Sequence, residues 1–220
     1  MAKTLKTFLL GVGAGAAIGV GSFLFTLCAS YSNKVLGSAL FAVGLFTVCS
    51  LGLFLYTGKI GYFLDNKTKK LYAFDLLVGY VGNIVGAVAL GYLMRLIFMA
   101  FNSSTIEAIK KITAIRMIDL GYGGSVFTNQ FGSSFFCGVL VYLAVHFWKK
   151  KWHFIIRTLI LVLCVFLFVY FGFEHCIANM WYFSFGNAWN PQSLVNILVV
   201  TIGNSLGALL TRLFVVISNK

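Results

Sequence analysis

From Phe8 to Cys28 the chain runs 21 residues without a charge, and stretches of similar length and polarity recur to its end. A hydrocarbon core about 30 Å thick is crossed by about 20 apolar residues in α-helix, because backbone N–H and C=O groups find no water there. The repeated runs therefore predict an all-α, polytopic membrane protein. Charge agrees, since only 10% of the 220 residues are Asp, Glu, Lys or Arg, against about a quarter in a soluble domain. Lys3 and Lys6 ahead of the first run imitate a signal peptide. The run exceeds the roughly 7–15 residues of a signal h-region, so it reads as a first span. A single Pro and the lack of any polar linker predict one integral membrane domain over 1–220.

Six spans follow, at about Phe8–Cys28, Val35–Leu64, Leu71–Met99, Ser125–Trp148, Trp152–Phe185 and Leu194–Ile217. The second and fifth are too long for a straight crossing. Each contains a polar interruption, L-Y-T-G-K at Leu55–Lys59 and G-F-E-H-C-I-A-N-M at Gly172–Met180. Both are therefore expected to be broken helices, with freed backbone groups lining a cavity or buried in protein. Between spans three and four, Asn102–Asp119 carries Ile106, Ile109, Ile112 and Ile115 every third residue. It reads as a short surface helix. Gly11, Gly13, Gly15, Gly19 and Gly21 give the first span a small-residue face for close helix packing.

An internal repeat organises these spans. G-N-x-x-G occurs at Gly82, Asn83, Gly86 and again at Gly203, Asn204, Gly207, 121 residues later, and the same offset carries Thr57 to Ala178 inside the second interruption. Repeat A then covers about 7–100, the surface segment about 101–120 and repeat B about 121–217. Three spans per repeat is an odd number, so the halves are expected to be inverted, as in transporter and channel folds whose broken helices meet near the midplane. With the amino terminus inside, Lys3, Lys6, Lys67, Lys69, Lys70, Lys149, Lys150, Lys151 and Lys220 are inner, and Lys34, Lys110, Lys111 and Arg116 outer. That bias places both termini in the cytoplasm.

Glu174, His175 and Asn179 lie inside an apolar run, where a charged side chain costs roughly 2.5–3.5 kcal/mol by insertion measurements. His175 is either a structural histidine fixed by Glu174 and backbone carbonyls or a donor of a hydrogen bond or proton to a small anion. The repeat places it opposite Thr57 and favours the second role. Glu174 and Asn179 read as structural polar groups at the break, and Asn83 and Asn204 as interhelical hydrogen bonders. Phe41, Tyr56 and Phe168, next to the breaks, suit apolar constrictions that dewet and block hydrated ions. His146 and His153 read as interfacial.

No metal or haem spacing, Walker loop, G-x-S-x-G or dinucleotide motif occurs, and none of Cys28, Cys49, Cys137, Cys164 and Cys176 forms a C-x-x-C pair. No cofactor, no metal and no enzymatic activity are expected. The net charge of +12 comes from short clusters between apolar runs, which argues for topology rather than nucleic-acid binding. Together with the family resemblance that follows, these residues favour a passive or proton-coupled conduit for a small monovalent anion. The alternatives are a membrane haem or redox protein using His146, His153 and His175, and a non-conducting scaffold.

F-E-H-C-I-A-N-M at Phe173–Met180 resembles the F-E-H-S-I-A-N-M stretch of the formate/nitrite transporter family. Leu55–Gly58 is similar to that family's L-F-T-[SG], and Gly11–Gly21, the two G-N-x-x-G motifs and Val141–Val145 also fit. The resemblance covers essentially the whole chain. It implies an aquaporin-like fold, a homopentamer with one pore per protomer in the bacterial cytoplasmic membrane, and passage of formate, nitrite or hydrosulfide. It implies that His175 is the central pore histidine and Thr57 its partner. Leu45 and Phe168 would form the cytoplasmic constriction, and Phe41, Tyr56 and Val141 the periplasmic one. The chain departs from the family at several points. Phe54 stands for an acidic residue, Gly138 for an Asn of the fourth span, Tyr56 for a Phe and Cys176 for a Ser; the Pro after Asn-Met is absent. A Lys ahead of the fourth span has no match, Arg116 lying nearby but out of register.

Overall fold

The computed structural model describes residues 2–98, 103–117 and 124–218. Met99, Asn102, Asp119 and Lys220, named above as span ends or inner charge, lie outside the described residues. No strand occurs among the described residues. Four helices are long and apolar enough to cross a membrane: α1 (Ala2–Ser30), α4 (Lys69–Phe98), α6 (Gly124–Trp148) and α9 (Pro191–Ile217). The segment of α5 (Ser103–Ala114) is amphipathic and turns Ile109 and Ile112 into the core.

Two further apolar helices, α2 (Lys34–Ser50) and α7 (Phe154–Tyr170), have 17 residues each. At 1.5 Å per residue that is about 25 Å, short of a hydrocarbon core of about 30 Å. Both end the same way. Gly52 and Gly172 adopt φ of 64° and 74°, a left-handed conformation that glycine enters without a Cβ clash. Leu53 N–H then bonds Val48 C=O at 2.9 Å, and Phe173 N–H bonds Phe168 C=O at 2.8 Å. These are Schellman caps, which satisfy the last carbonyls and turn the chain out of the helix. After a short extended stretch the chain re-enters helix as α3 (Tyr56–Lys59), continued by a 3₁₀ turn over Ile60–Phe63, and as α8 (Cys176–Gly186). Both expected interruptions are therefore present.

Each restart is held by the asparagine of a G-N-x-x-G motif. Asn83 accepts the Tyr56 N–H at 2.8 Å and donates to the carbonyls of Phe54 at 2.7 Å and Gly11 at 2.9 Å. Asn204 accepts the Cys176 N–H at 3.0 Å and donates to the carbonyls of Glu174 and Ser134, both at 2.8 Å. One fully buried amide thus satisfies two backbone groups that the break would leave bare, each worth several kcal/mol in hydrocarbon if unpaired, and ties the break to a carbonyl of the neighbouring helix. The clamps make Tyr56 equivalent to Cys176 and Gly52 to Gly172, a shift of 120 residues rather than 121. The counterpart of Thr57 is therefore Ile177, not Ala178, and the counterpart of His175 is Leu55.

Glycines bring the clamp helices close. A Cβ on Gly86 would collide with the Val12 carbonyl of α1, and a Cβ on Gly207 with the Phe135 carbonyl of α6. Gly138, expected to stand for a polar residue of the site, belongs to this packing, because its face lies against the Asn204 backbone. Gly207→Val should force α6 and α9 apart and cost at least about 2 kcal/mol, whereas Gly132→Val, facing open space, should be neutral. Thermal unfolding of the purified protein in detergent checks this, and equal midpoints for the two variants would refute it.

Candidate functional site

The two breaks meet at one hydrogen bond. Thr57 Oγ1 lies 3.0 Å from His175 Nε2, with Thr57 wholly buried and His175 3% exposed. His175 is the N-cap of α8, and its Nδ1 accepts the Ala178 N–H at 3.3 Å. A neutral imidazole that accepts at Nδ1 carries its proton on Nε2, so His175 donates to Thr57. The Phe168 ring stacks on the imidazole with centroids 5.9 Å apart. The local sequence dictates this pose: Gly172 ends α7, Phe173 and Glu174 span the gap under the Asn204 clamp, and His175 becomes the first residue able to cap α8.

A cavity of about 100 Å³ opens on one side of this bond, lined by His175, Phe41, Phe168, Arg116 and Lys34 among others. A second, of about 130 Å³, opens on the other side along Leu55, Gly58, Lys59 and Lys149. The aromatic gate differs from the expected grouping. Phe41 and Phe168, expected in different constrictions, pack edge to face at 5.5 Å on the first cavity. Tyr56 is not with Phe41. Its hydroxyl bonds Ser205 Oγ at 2.9 Å and its ring meets Tyr80 at 4.7 Å, on a lateral groove of α3, α4 and α9. Facing the second cavity instead is its neighbour Leu55. Leu45 and Val141 are buried in the core and line neither cavity. The alternation of the extended stretch before α3 explains the exchange: Leu55 and Tyr56 are consecutive and face opposite ways.

Arg116, placed above in an outer segment and out of register, is 7% exposed and belongs to the site. It donates from Nε to Asn179 Oδ1 at 3.0 Å, lies 3.5 Å from Glu174 and covers the Tyr182 ring at 4.7 Å. Asn179 passes the network on. Its amide donates to Glu174 Oε2 and, at 2.9 Å, to Asn196, which in turn donates to Gln130. Arg116 thus balances the charge of Glu174, and Asn179 bridges the two beside His175. Arg116, Gln130 and Asn196 were missed by sequence reasoning. An amide in the second turn of each of two apolar spans, Gln130 in α6 and Asn196 in α9, was the available signal. For Arg116 the signal was the register of α5: Ile109, Ile112 and Arg116 recur at helical spacing on the buried face.

Among the described residues no three His, Cys, Asp or Glu side chains converge as a metal site. The geometry offers an imidazole N–H, the Lys34 ammonium on the same cavity and the N-terminus of α8, all suited to an anion or a developing negative charge, the charge of Arg116 being matched by Glu174.

Residues 1–218 match the family model described as formate/nitrite transporter. A probable formate transporter of Methanothermobacter thermautotrophicus is 27% identical over 230 residues, covering 92% of this chain and 84% of the relative. The formate channel FocA of Haemophilus influenzae is 23% identical over 195 residues, covering 84% and 67%. Among solved structures, a pentameric formate channel with formate bound superposes with a TM-score of 0.83 at 24% identity, over 100% of this chain and 99% of the other. An FNT family ion channel gives 0.77 at 23% identity, over 93% and 86%.

Proposed function

The chain belongs to the formate/nitrite transporter family, and from that premise we propose that it conducts small monovalent weak-acid anions of the formate, nitrite or hydrosulfide kind, with a proton supplied at His175. The observation that carries the proposal is the Thr57–His175 hydrogen bond between two cavities that approach it from opposite sides. An anion enters the cavity beneath Arg116 and Lys34, where positive charge and the α8 N-terminus favour it. The Phe41–Phe168 pair excludes its hydration shell. His175 Nε2–H turns from Thr57 to the anion and donates a hydrogen bond. Uptake of a proton from water makes the ring an imidazolium; transfer of one ring proton to the anion returns a neutral imidazole and yields the neutral acid, which crosses the apolar wall at Leu55 that an ion does not. Arg116 fills the role of the lysine that the family carries ahead of the fourth span.

In this reading the chain makes six crossings, α2–α3 and α7–α8 counting as one each, in two inverted repeats that form one integral unit. It assembles as a homopentamer in the bacterial cytoplasmic membrane with both termini in the cytoplasm. The likeness to a pentameric channel over the full chain length supports the assembly, and the Lys/Arg bias supports the orientation.

Proteoliposomes loaded with a pH-sensitive dye test the proposal. Formate and nitrite uptake above that of protein-free liposomes should rise steadily as external pH falls, because each acidification favours the protonated species in the pore. Uptake equal to protein-free liposomes for every weak acid tried would overturn conduction. Uptake that rises with pH would overturn the proton step.

A further inference from the structure

We propose that Lys59 and Lys149 form a second anion-holding site, on the cavity opposite Arg116. The proposal rests on the reading of the chain as an anion conduit. Both lysines line the cavity of about 130 Å³ that leads to Leu55 and Gly58, one residue to either side of Tyr56 and Thr57. Lys59 ends α3, inside the break itself; Lys149 follows the last turn of α6. The cavity lies toward the amino-terminal end of α1, since Leu53 contacts Gly13 and Phe54 N–H bonds Leu10 C=O at 3.2 Å.

Among the described residues neither ammonium has a carboxylate partner. The acidic side chains among the described residues are Asp65, Asp75, Glu107 and Glu174, and they pair with Arg212, Lys3, Lys111 and Arg116 respectively. Lys59 and Lys149 rest instead over aromatic faces, Lys59 at 5.3 Å from the Phe54 centroid and Lys149 at 3.6 Å from that of Tyr62. Such contacts hold a cation weakly and leave its N–H donors unused. The two charges also feel one another. Partial desolvation first, and the Lys59 ammonium second, lower the pKa of Lys149 to about 8. Two like charges held together on an otherwise apolar cavity disfavour each other until an anion enters between them. A volume of about 130 Å³ takes an anion of a few heavy atoms, given about 30 Å³ per water. The ligand class is the small monovalent oxyanion or thiolate that the conduit carries. The site's effect is to hold the anion on the amino-terminal face before or after its passage by Thr57.

The test uses the full-length protein in vesicles of both orientations, with formate as the probe. In Lys59→Gln/Lys149→Gln the formate concentration giving half-maximal flux from the amino-terminal face should rise about tenfold. The value from the opposite face, and the pH profile, should stay as in the wild type. Lys149→Arg should behave as wild type. A change of equal size from both faces, or none, overturns the proposal, because a lysine that only anchors α6 has no sidedness. A readout independent of conduction uses Trp148, which lines the same cavity. Iodide quenching of the fluorescence contributed by Trp148, isolated by comparison with Trp148→Phe, should fall by at least half in the double variant. Unchanged quenching overturns the site even where flux is absent, whereas absent wild-type flux with reduced quenching overturns the transport reading and leaves the site standing.

Discussion

Replacing His175 by alanine should lower formate flux at acidic pH by at least tenfold and leave a residue that no longer rises as pH falls. The imidazole supplies the one N–H that faces both Thr57 and the first cavity. A positioned general acid contributes about 10²–10⁴-fold where a proton moves in the limiting step. Without it the anion reaches the Leu55 wall charged, and lowering the pH gains nothing beyond leakage of free acid through lipid. His175→Asn separates two roles, because an amide still donates a hydrogen bond but does not titrate. It should restore part of the flux at neutral pH and none of the pH dependence. Dye-reported uptake at a series of pH values decides the matter. Flux in His175→Ala equal to wild type at every pH would remove the histidine from the mechanism.

The second large effect concerns stability. Arg116→Met leaves the Glu174 carboxylate buried beside Asn179 with no cation. Breaking a buried pair from one side costs about 3–5 kcal/mol. For a chain of this size each kcal/mol shifts the unfolding midpoint by roughly 2–4 °C, so a fall of about 10 °C is expected in detergent. Glu174→Gln on top of Arg116→Met should recover more than half of the loss, since the double variant buries no lone charge. A fall that the second substitution deepens would show that the carboxylate is needed for its hydrogen bonds and not for its charge.

The helices were legible because the bilayer leaves few choices. Every apolar run became a helix, and the two runs too long for a crossing broke at Leu51–Leu55 and Phe171–His175. The residues at the breaks were also legible as an unusual concentration of polarity. What failed was fine register. G-N-x-x-G fixed the repeat on helices α4 and α9, and carrying its offset across to the breaks misplaced Thr57 by one position. L-G-L-F at Leu51–Phe54 and F-G-F-E at Phe171–Glu174 carry the correct shift, because a glycine at a Schellman cap is tied to the break itself. The Phe41–Phe168 contact was not legible for a related reason. Phe41 on α2 and Phe168 on α7 meet only through the packing of two separate helices, which no spacing within either one records. Arg116 was hidden by its charge: a basic residue in a segment that reads as a surface helix is expected in water, and only the depth of Glu174 gives it a buried partner.

Backbone and side chains obey different symmetries at the centre of this molecule. Gly52 and Gly172, Asn83 and Asn204, and the two restarts are equivalent, yet the equivalent cap positions hold Leu55 on one half and His175 on the other. The scaffold thus repeats itself in backbone while the imidazole sits on one half only. A conduit of that kind rectifies under load. At low concentration the two directions must carry equal permeability, but near saturation an anion that meets imidazole first and leucine second is handled differently from one travelling the other way. With the role proposed for His175, this pair contributes one asymmetry to the pore, and exchanging the two side chains should alter the difference between the directions near saturation.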